Sequence, residues 1–128
     1  MDATSYYCII RHFKPKRILE IGARSSTLVA NQAPEANGLG DLVLIEPYPP
    51  EYLKNLELVS KTYKKIIQDF ELKDLVSIVE EADILFIDST HNVKVGSACL
   101  FIYLKLIPEI TKKMLVHAHD IALPYTEP

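Results

Sequence analysis

Short, unbroken apolar runs that stop abruptly at a polar residue or a glycine constrain this chain more than any other feature. Ile84-Leu85-Phe86-Ile87 stops at Asp88, Leu42-Val43-Leu44-Ile45 at Glu46, and Arg17-Ile18-Leu19-Glu20-Ile21 at Gly22. Two weaker runs, Lys65-Ile66-Ile67-Gln68 before Asp69 and Met114-Leu115-Val116 before His117, complete a set of strands. Continuous runs rich in β-branched and aromatic residues suit strands covered on both faces, as in parallel sheets. The stretches between them read as helices. Asp2, Thr4 or Ser5 caps a first helix to about Phe13, which Lys14-Pro15 ends because proline has no backbone donor. Ser25-Ser26-Thr27 supply N-cap hydroxyls for a second helix to about Gln32. Helical spacing recurs over Glu51 to Tyr63 through Leu53, Leu56 and Val59, over Leu72 to Glu81, and over Val95 to Ile110. Alternating strands and helices, with crossovers long enough for a right-handed return, predict an α/β fold with an open, doubly wound, mostly parallel sheet.

The chain has 128 residues, the size of one domain spanning 1–128. Its 48% apolar and 24% charged content is ordinary globular usage and supports a packed core. Seventeen acids against fourteen Lys and Arg leave a net charge of −3, without the basic excess that nucleic-acid binding requires. The longest apolar stretch, near Ala98 to Ile107, is broken by Lys105 and is too short for a membrane span. Met1 to Ser5 carries Asp2 and no basic leader segment. Cys8 and Cys99 sit in apolar runs without metal-ligand spacing, which predicts buried, reduced thiols and a cytoplasmic protein.

Ligands of doubly wound sheets bind beyond the carboxyl ends of the strands. There the sequence places Glu20 and Gly22, Glu46, Asp69, Asp88 and His91, and His119 with Asp120. Any one acid would serve equally as a helix N-cap; their recurrence at successive strand ends favours a site. The first turn, Gly22-Ala23-Arg24-Ser25-Ser26-Thr27, lacks the second and third glycines of a dinucleotide fingerprint. A pyrophosphate has no close-approach glycine, which weakens a nicotinamide dehydrogenase reading. Glu46 is suitably placed to accept from both hydroxyls of a ribose. The expected ligand is an adenosyl group without a diphosphate. Plainer readings cover the remaining features: Tyr6, Tyr7 and Phe13 as the core face of the first helix, Lys61, Lys64 and Lys65 as a solvated face, His12 near a helix C-terminus, and His117 packed in a strand.

The phrases Ile18-Leu19-Glu20-Ile21-Gly22-Ala23-Arg24-Ser25-Ser26-Thr27, Ile45-Glu46-Pro47-Tyr48-Pro49-Pro50, Asp83-Ile84-Leu85-Phe86-Ile87-Asp88-Ser89-Thr90-His91 and Leu115-Val116-His117-Ala118-His119-Asp120-Ile121 resemble successive motifs of class I S-adenosylmethionine-dependent methyltransferases. The resemblance covers Arg17 to Tyr125 and implies a Rossmann-like fold and an S-adenosylmethionine cofactor. It implies that Glu20, Gly22 and Ala23 border the methionine moiety, that Glu46 holds the ribose, and that Asp69 with Phe70 faces the adenine. Asp88-Ser89-Thr90-His91 also resembles a stretch of metal-dependent sugar O-methyltransferases. That likeness implies Asp88 as a catalytic and cofactor-side residue, His91 as a candidate base, and a divalent metal on Asp88, His119 and Asp120. His91 is equally open to a capping role.

Arg24 departs from the family, which commonly has a second glycine there. The family also adds an antiparallel strand pair after the fifth strand, and the sequence predicts a sheet without it. The expected activity is methyl transfer to an oxygen or nitrogen of a small-molecule acceptor. The alternative is a non-catalytic binding or assembly module. The fifth strand, left at an edge, predicts a homo-oligomer pairing there, with the tail Leu123 to Pro128 lying across the partner.

Overall fold

The most apolar runs become the middle of a sheet. The computed structural model describes residues 2–38, 40–89 and 94–121. Its strands are β1 (Ile18–Ile21), β2 (Leu42–Ile45), β3 (Val59–Tyr63), β4 (Ile84–Ile87) and β5 (Leu115–Ala118). Their order is β3-β2-β1-β4-β5, and every neighbouring pair is parallel. β1, β2 and β4 are buried at all positions, as their composition requires. The chain passes outward from β1 to β3, then returns to the other side of β1 for β4. The junction of β1 and β4 is thus the switch point at which such sheets open a crevice.

Alternation along the strands divides the core in two. Ile18, Leu42, Leu44, Ile84 and Phe86 face α1 (Asp2–Phe13) and α2 (Ser25–Asn37), where they meet Tyr6, Ile10, Ala30 and Ala33. Leu19, Ile21, Val43, Ile45, Leu85 and Ile87 face α3 (Leu72–Glu80) and the helix that begins at α4 (Ala98–Phe101), where they meet Leu75, Val79, Ile102 and Leu106. The sheet is therefore doubly wound, as expected. The α4 helix widens into a π-turn over Ile102–Leu106, with the Ile107 amide donating to the Ile102 carbonyl, before a last turn, α5 (Ile107–Glu109).

Several boundaries differ from the sequence reading. The helix expected over Glu51 to Tyr63 is a 3-10 turn, Glu51–Asn55, followed by β3. The strand expected over Lys65 to Gln68 is a loop and a 3-10 turn, Ile67–Asp69, from which Ile67 inserts into the core. β3 is an edge strand of mixed polarity, so it lacks the apolar signature of its neighbours. α2 runs past Gln32 and through Pro34 to Asn37, where Gly38 in the left-handed region donates to the Glu35 and Pro34 carbonyls. The expected hydroxyl caps do not form: Arg24 is the N-cap residue and no side chain caps the helix. The helix expected from Val95 starts at Ala98, capped by Ser97. β5 lies slightly further along, Leu115–Ala118, so His117 is within the strand, as expected. Of the three aromatics assigned to the first core face, Tyr6 is buried but Tyr7 and Phe13 are exposed. Cys8 is likewise exposed rather than buried, while Cys99 is half-buried; both are free thiols. The tail Leu123 to Pro128 lies outside the described residues.

Charges at the amino end of the sheet are consumed by the fold. Arg17 donates to Asp41 at 2.6 Å and also pairs with Glu81. Asp83 accepts from the Lys16 and Arg17 amides at 2.8 and 3.3 Å and from Lys112 Nζ at 3.3 Å. Burial alone would raise the Asp83 carboxyl, but those donors together hold it below its ordinary value. Among the described residues, no helix is long and apolar enough to cross a membrane.

Candidate functional site

At the carboxyl end the charged groups face a groove instead. β1 turns away at Gly22, whose φ of +85° lies in the region that favours glycine. Its hydrogen-facing side abuts β4: a Cβ there would stand 2.0 Å from the Asp88 carbonyl oxygen. The Gly22 amide donates to Ile45 O at 3.0 Å and the Asp88 amide to Ile21 O at 2.9 Å, which locks three strand ends together. This close packing sets Glu46, Gly22 and Asp88 along one wall.

Glu46 is half-buried, and its two oxygens accept from the Tyr48 amide at 2.9 Å and the Ala23 amide at 3.3 Å. The carboxylate is therefore held in one orientation by backbone, with lone pairs to spare. It lines a cavity of about 240 Å³ with Gly22, Ile67, Gln68, Asp88 and Ala98. Ala23 itself is buried beneath α2 and meets the site through its amide. Asp69 and Phe70 do not line this cavity; Ile67 and Gln68 of the same turn do. Asp69 is exposed, and Phe70 packs edge-on against Tyr63, their centroids 5.6 Å apart, with Lys65 Nζ 4.7 Å from its ring.

A second cavity, of about 500 Å³, continues on the other side of Arg24, Asp88 and Ser89, which line both. Its further wall is formed by Tyr6, Ser26, Phe86, His119 and Asp120. Here the structure brings together the three residues of the expected metal set. Ligand atoms of Asp88, His119 and Asp120 lie within 4.8 Å of one another. His119 Nδ1 is 3.2 Å from Asp120 Oδ1 and 3.7 Å from Asp88 Oδ1. Asp120 reaches this position with φ of +54°, which aspartate tolerates better than most residues. Two carboxylates and an imidazole suit a divalent cation of intermediate softness. His91 lies outside the described residues.

Over 82% of its length the chain superposes, with a TM-score of 0.54 and 22% identity, on 47% of PaMTH1, a methyltransferase of Podospora anserina solved with SAH bound. The fold is methyltransferase-like. An uncharacterized protein of Archaeoglobus fulgidus is 34% identical over an alignment of 89 positions that covers 62% of this chain and 38% of that protein. The chain thus spans less than half the length of either protein. No family model matches it.

Glu20 occupies a different place in this methyltransferase-like fold from its neighbours in sequence. It is fully buried under the floor, where it accepts from Tyr6 Oη at 2.9 Å and Thr27 Oγ1 at 2.6 Å. Burial pushes its carboxyl up to about 7; the two hydrogen bonds oppose that and the nearby Asp88 adds to it. Tyr6 is pushed well above its ordinary value by burial and by Glu20, and its ring stacks on Phe86 at 4.1 Å. Strand register makes a row of Leu44, Glu20, Phe86 and His117 across the sheet beneath it. The sequence reading missed Tyr6, Thr27, Ser26 and Ser89 as site residues. One signal was present: a tyrosine in phase with Ile10 on a buried helical face must find a partner for its hydroxyl.

Proposed function

We propose that the chain binds S-adenosylmethionine at the ends of β1, β2 and β4 and transfers its methyl group to an oxygen or nitrogen of a small molecule in the adjoining cavity. The observation that carries this reading is the pair of cavities divided by Asp88, with an oriented Glu46 in the smaller. In this assignment Glu46 takes the ribose and the turn bearing Asp69 and Phe70 lies beside the adenine. Gly22 and Ala23 border the methionine moiety above Glu20, and Asp88 lies between cofactor and acceptor. The acids lining both cavities suit a sulfonium cation. In the transfer, the methyl–sulfur bond breaks as the methyl–heteroatom bond forms, S-adenosylhomocysteine leaves, and the acceptor's proton passes to a base, the role assigned to His91. Positioning along the line of transfer supplies most of the catalysis. The free thiols Cys8 and Cys99 suit a reducing compartment such as the cytoplasm.

Replacing Glu46 with alanine is expected to weaken S-adenosylhomocysteine binding by about 2 kcal/mol, roughly thirty-fold, because charge-assisted bonds are lost. Calorimetry measures this directly, and an unmodified protein that binds no S-adenosylhomocysteine ends the enzyme reading. Binding without methyl transfer to any acceptor would favour a binding or assembly module, to which Arg24 in place of a glycine lends some support.

Asp88, His119 and Asp120 would hold a divalent metal. Bound there, it would supply positive charge to an acceptor hydroxyl and ease its deprotonation. Asp120→Asn is expected to weaken Mn²⁺ binding at least about ten-fold, read by titration of the free-ion electron-paramagnetic signal. Equal Mn²⁺ binding by both proteins removes the metal while leaving methyl transfer possible.

The edge of β5, which has no neighbouring strand among the described residues, is proposed to pair with a second copy. Val116 is exposed at mid-strand, Lys112 and Lys113 precede the strand, and Asp120 follows it. An antiparallel two-fold contact sets the basic end of one strand against the acidic end of the other. Sedimentation at micromolar concentration should show a dimer, and Val116→Glu a monomer; a monomeric unmodified protein refutes the contact.

A further inference from the structure

A separate cavity opens at the amino end of the sheet and shares no lining residue with the two at the carboxyl end. Its volume is about 650 Å³, within the range of about 300–1,000 Å³ typical of small-ligand pockets. Phe13 at the end of α1, Lys14 and Lys16 in the turn that follows, and Lys113, Met114 and Leu115 at the start of β5 line it. Phe13 is 58% exposed and makes a T-shaped contact with His12, their centroids 4.9 Å apart. The acid in the lining, Asp83, is already engaged by the Lys16 and Arg17 amides and by Lys112 Nζ. Lys14, Lys16 and Lys113 are exposed, and among the described residues none of them has an ion-pair partner. This end is thus locally positive on a chain of net charge −3. Lys14 carries a second, independent mark. Its φ of +47° lies in the left-handed region, and its amide ends α1 on the Ile10 carbonyl at 2.9 Å. Glycine would make that turn without strain, yet a lysine stands there and lines the cavity. The negative end of the α1 dipole does not require it, because Arg11 and His12 already lie in the last turn.

We propose that this cavity binds a small aromatic carboxylate, its ring against Phe13, Met114 and Leu115 and its charge among Lys14, Lys16 and Lys113. The two halves of the lining need each other. Exposed ammonium groups alone hold a bare anion weakly against water and salt. Joined to an apolar wall, they favour an anion that carries a flat apolar body. An aromatic ring suits an exposed phenylalanine and a methionine thioether, both of which gain from ring contacts. Ammonium groups act as point charges and accept a carboxylate from several directions. The site lies at the opposite end of β4 from Asp88 and does not depend on the methyl-transfer reading.

Calorimetry on the full chain with 1-naphthaleneacetate, its neutral amide 1-naphthaleneacetamide, and acetate tests both halves. The naphthalene carboxylate should bind about ten-fold more tightly than the amide, and acetate should not bind over the same concentrations. The double variant Lys16→Gln, Lys113→Gln should lose that preference, and Phe13→Ser should weaken carboxylate and amide alike. These side chains are exposed, so the variants should melt as the unmodified protein does. Lys14→Gly should melt no lower, because it relieves the left-handed strain, yet bind the carboxylate more weakly. Absence of binding, equal affinity for carboxylate and amide, or acetate binding as tightly as the naphthalene probe overturns the proposal. A carboxylate preference that survives in the double variant places the anion elsewhere on the protein and also overturns it. Titration at two protein concentrations, with sedimentation of the same samples, tests the other occupant. Carboxylate binding that is lost as the chain associates gives the groove to a second copy and overturns the small-ligand site; binding that is the same at both supports it.

Discussion

Gly22→Ala should destabilise the protein by about 4 kcal/mol, combining left-handed backbone strain of about 1–3 kcal/mol with overpacking of similar size. The added Cβ would stand 2.0 Å from the Asp88 carbonyl oxygen and 2.8 Å from its carbon. Neither neighbour is a flexible side chain. Relief requires β1 to move from β4, and with it the bonds from the Gly22 amide to Ile45 and from the Asp88 amide to Ile21. Gly38→Ala is the matched control, because Gly38 has φ of +71° and no atom within 4 Å of the new Cβ. It should cost about 1 kcal/mol through the backbone alone. Urea denaturation measures both, and equal losses for the two variants would refute the close approach.

Stability should also fall as pH rises through the Glu20 transition. The folded protein holds this proton to about pH 7, whereas the unfolded chain releases it near 4.5. Below 4.5 both states are protonated and the group contributes its full stability. Between the two values the unfolded state binds fewer protons, so each step upward favours unfolding. At about 1.4 kcal/mol per pKa unit, about 3 kcal/mol is lost by pH 8. Glu20→Gln keeps the shape and cannot ionise, so its stability should lack this slope. Urea midpoints for the two proteins from pH 4.5 to 8 give the difference curve. A flat difference would show that Glu20 ionises freely in place.

How much of this was legible in the sequence depended on burial. β1, β2 and β4 are covered on both faces, so every residue in them except Glu20 is apolar and the runs stood out. β3 sits at an edge with exposed Ser60 and Lys61, and its composition carried no such mark. Ile66-Ile67 imitated a strand because one of the pair, Ile67, does fill the core, from a turn. The acids that end strands were legible for a related reason: where a buried run stops, a polar residue meets solvent or a ligand. That rule located Glu46, Asp88, His119 and Asp120 on the groove. It misplaced Glu20, which belongs to the strand interior and is reached by Tyr6 and Thr27. Contributions from helices, Tyr6 and Ser26 among them, depend on docking angles that one sequence does not encode locally.

The pairing of β1 with β4 also governs the order in which the molecule can assemble. α2, β2, β3 and α3 all intervene in the chain between those strands. Closing so long a loop costs entropy before any contact repays it, and non-local pairings of this kind slow folding. The cavity wall at Gly22 and Asp88 therefore forms only when that loop closes. A nascent chain released as far as β3 has Glu46 and Gly22 but no site. On the ribosome, the groove between β1 and β4 cannot form before β4 emerges, and α4, α5 and β5 follow it in the chain.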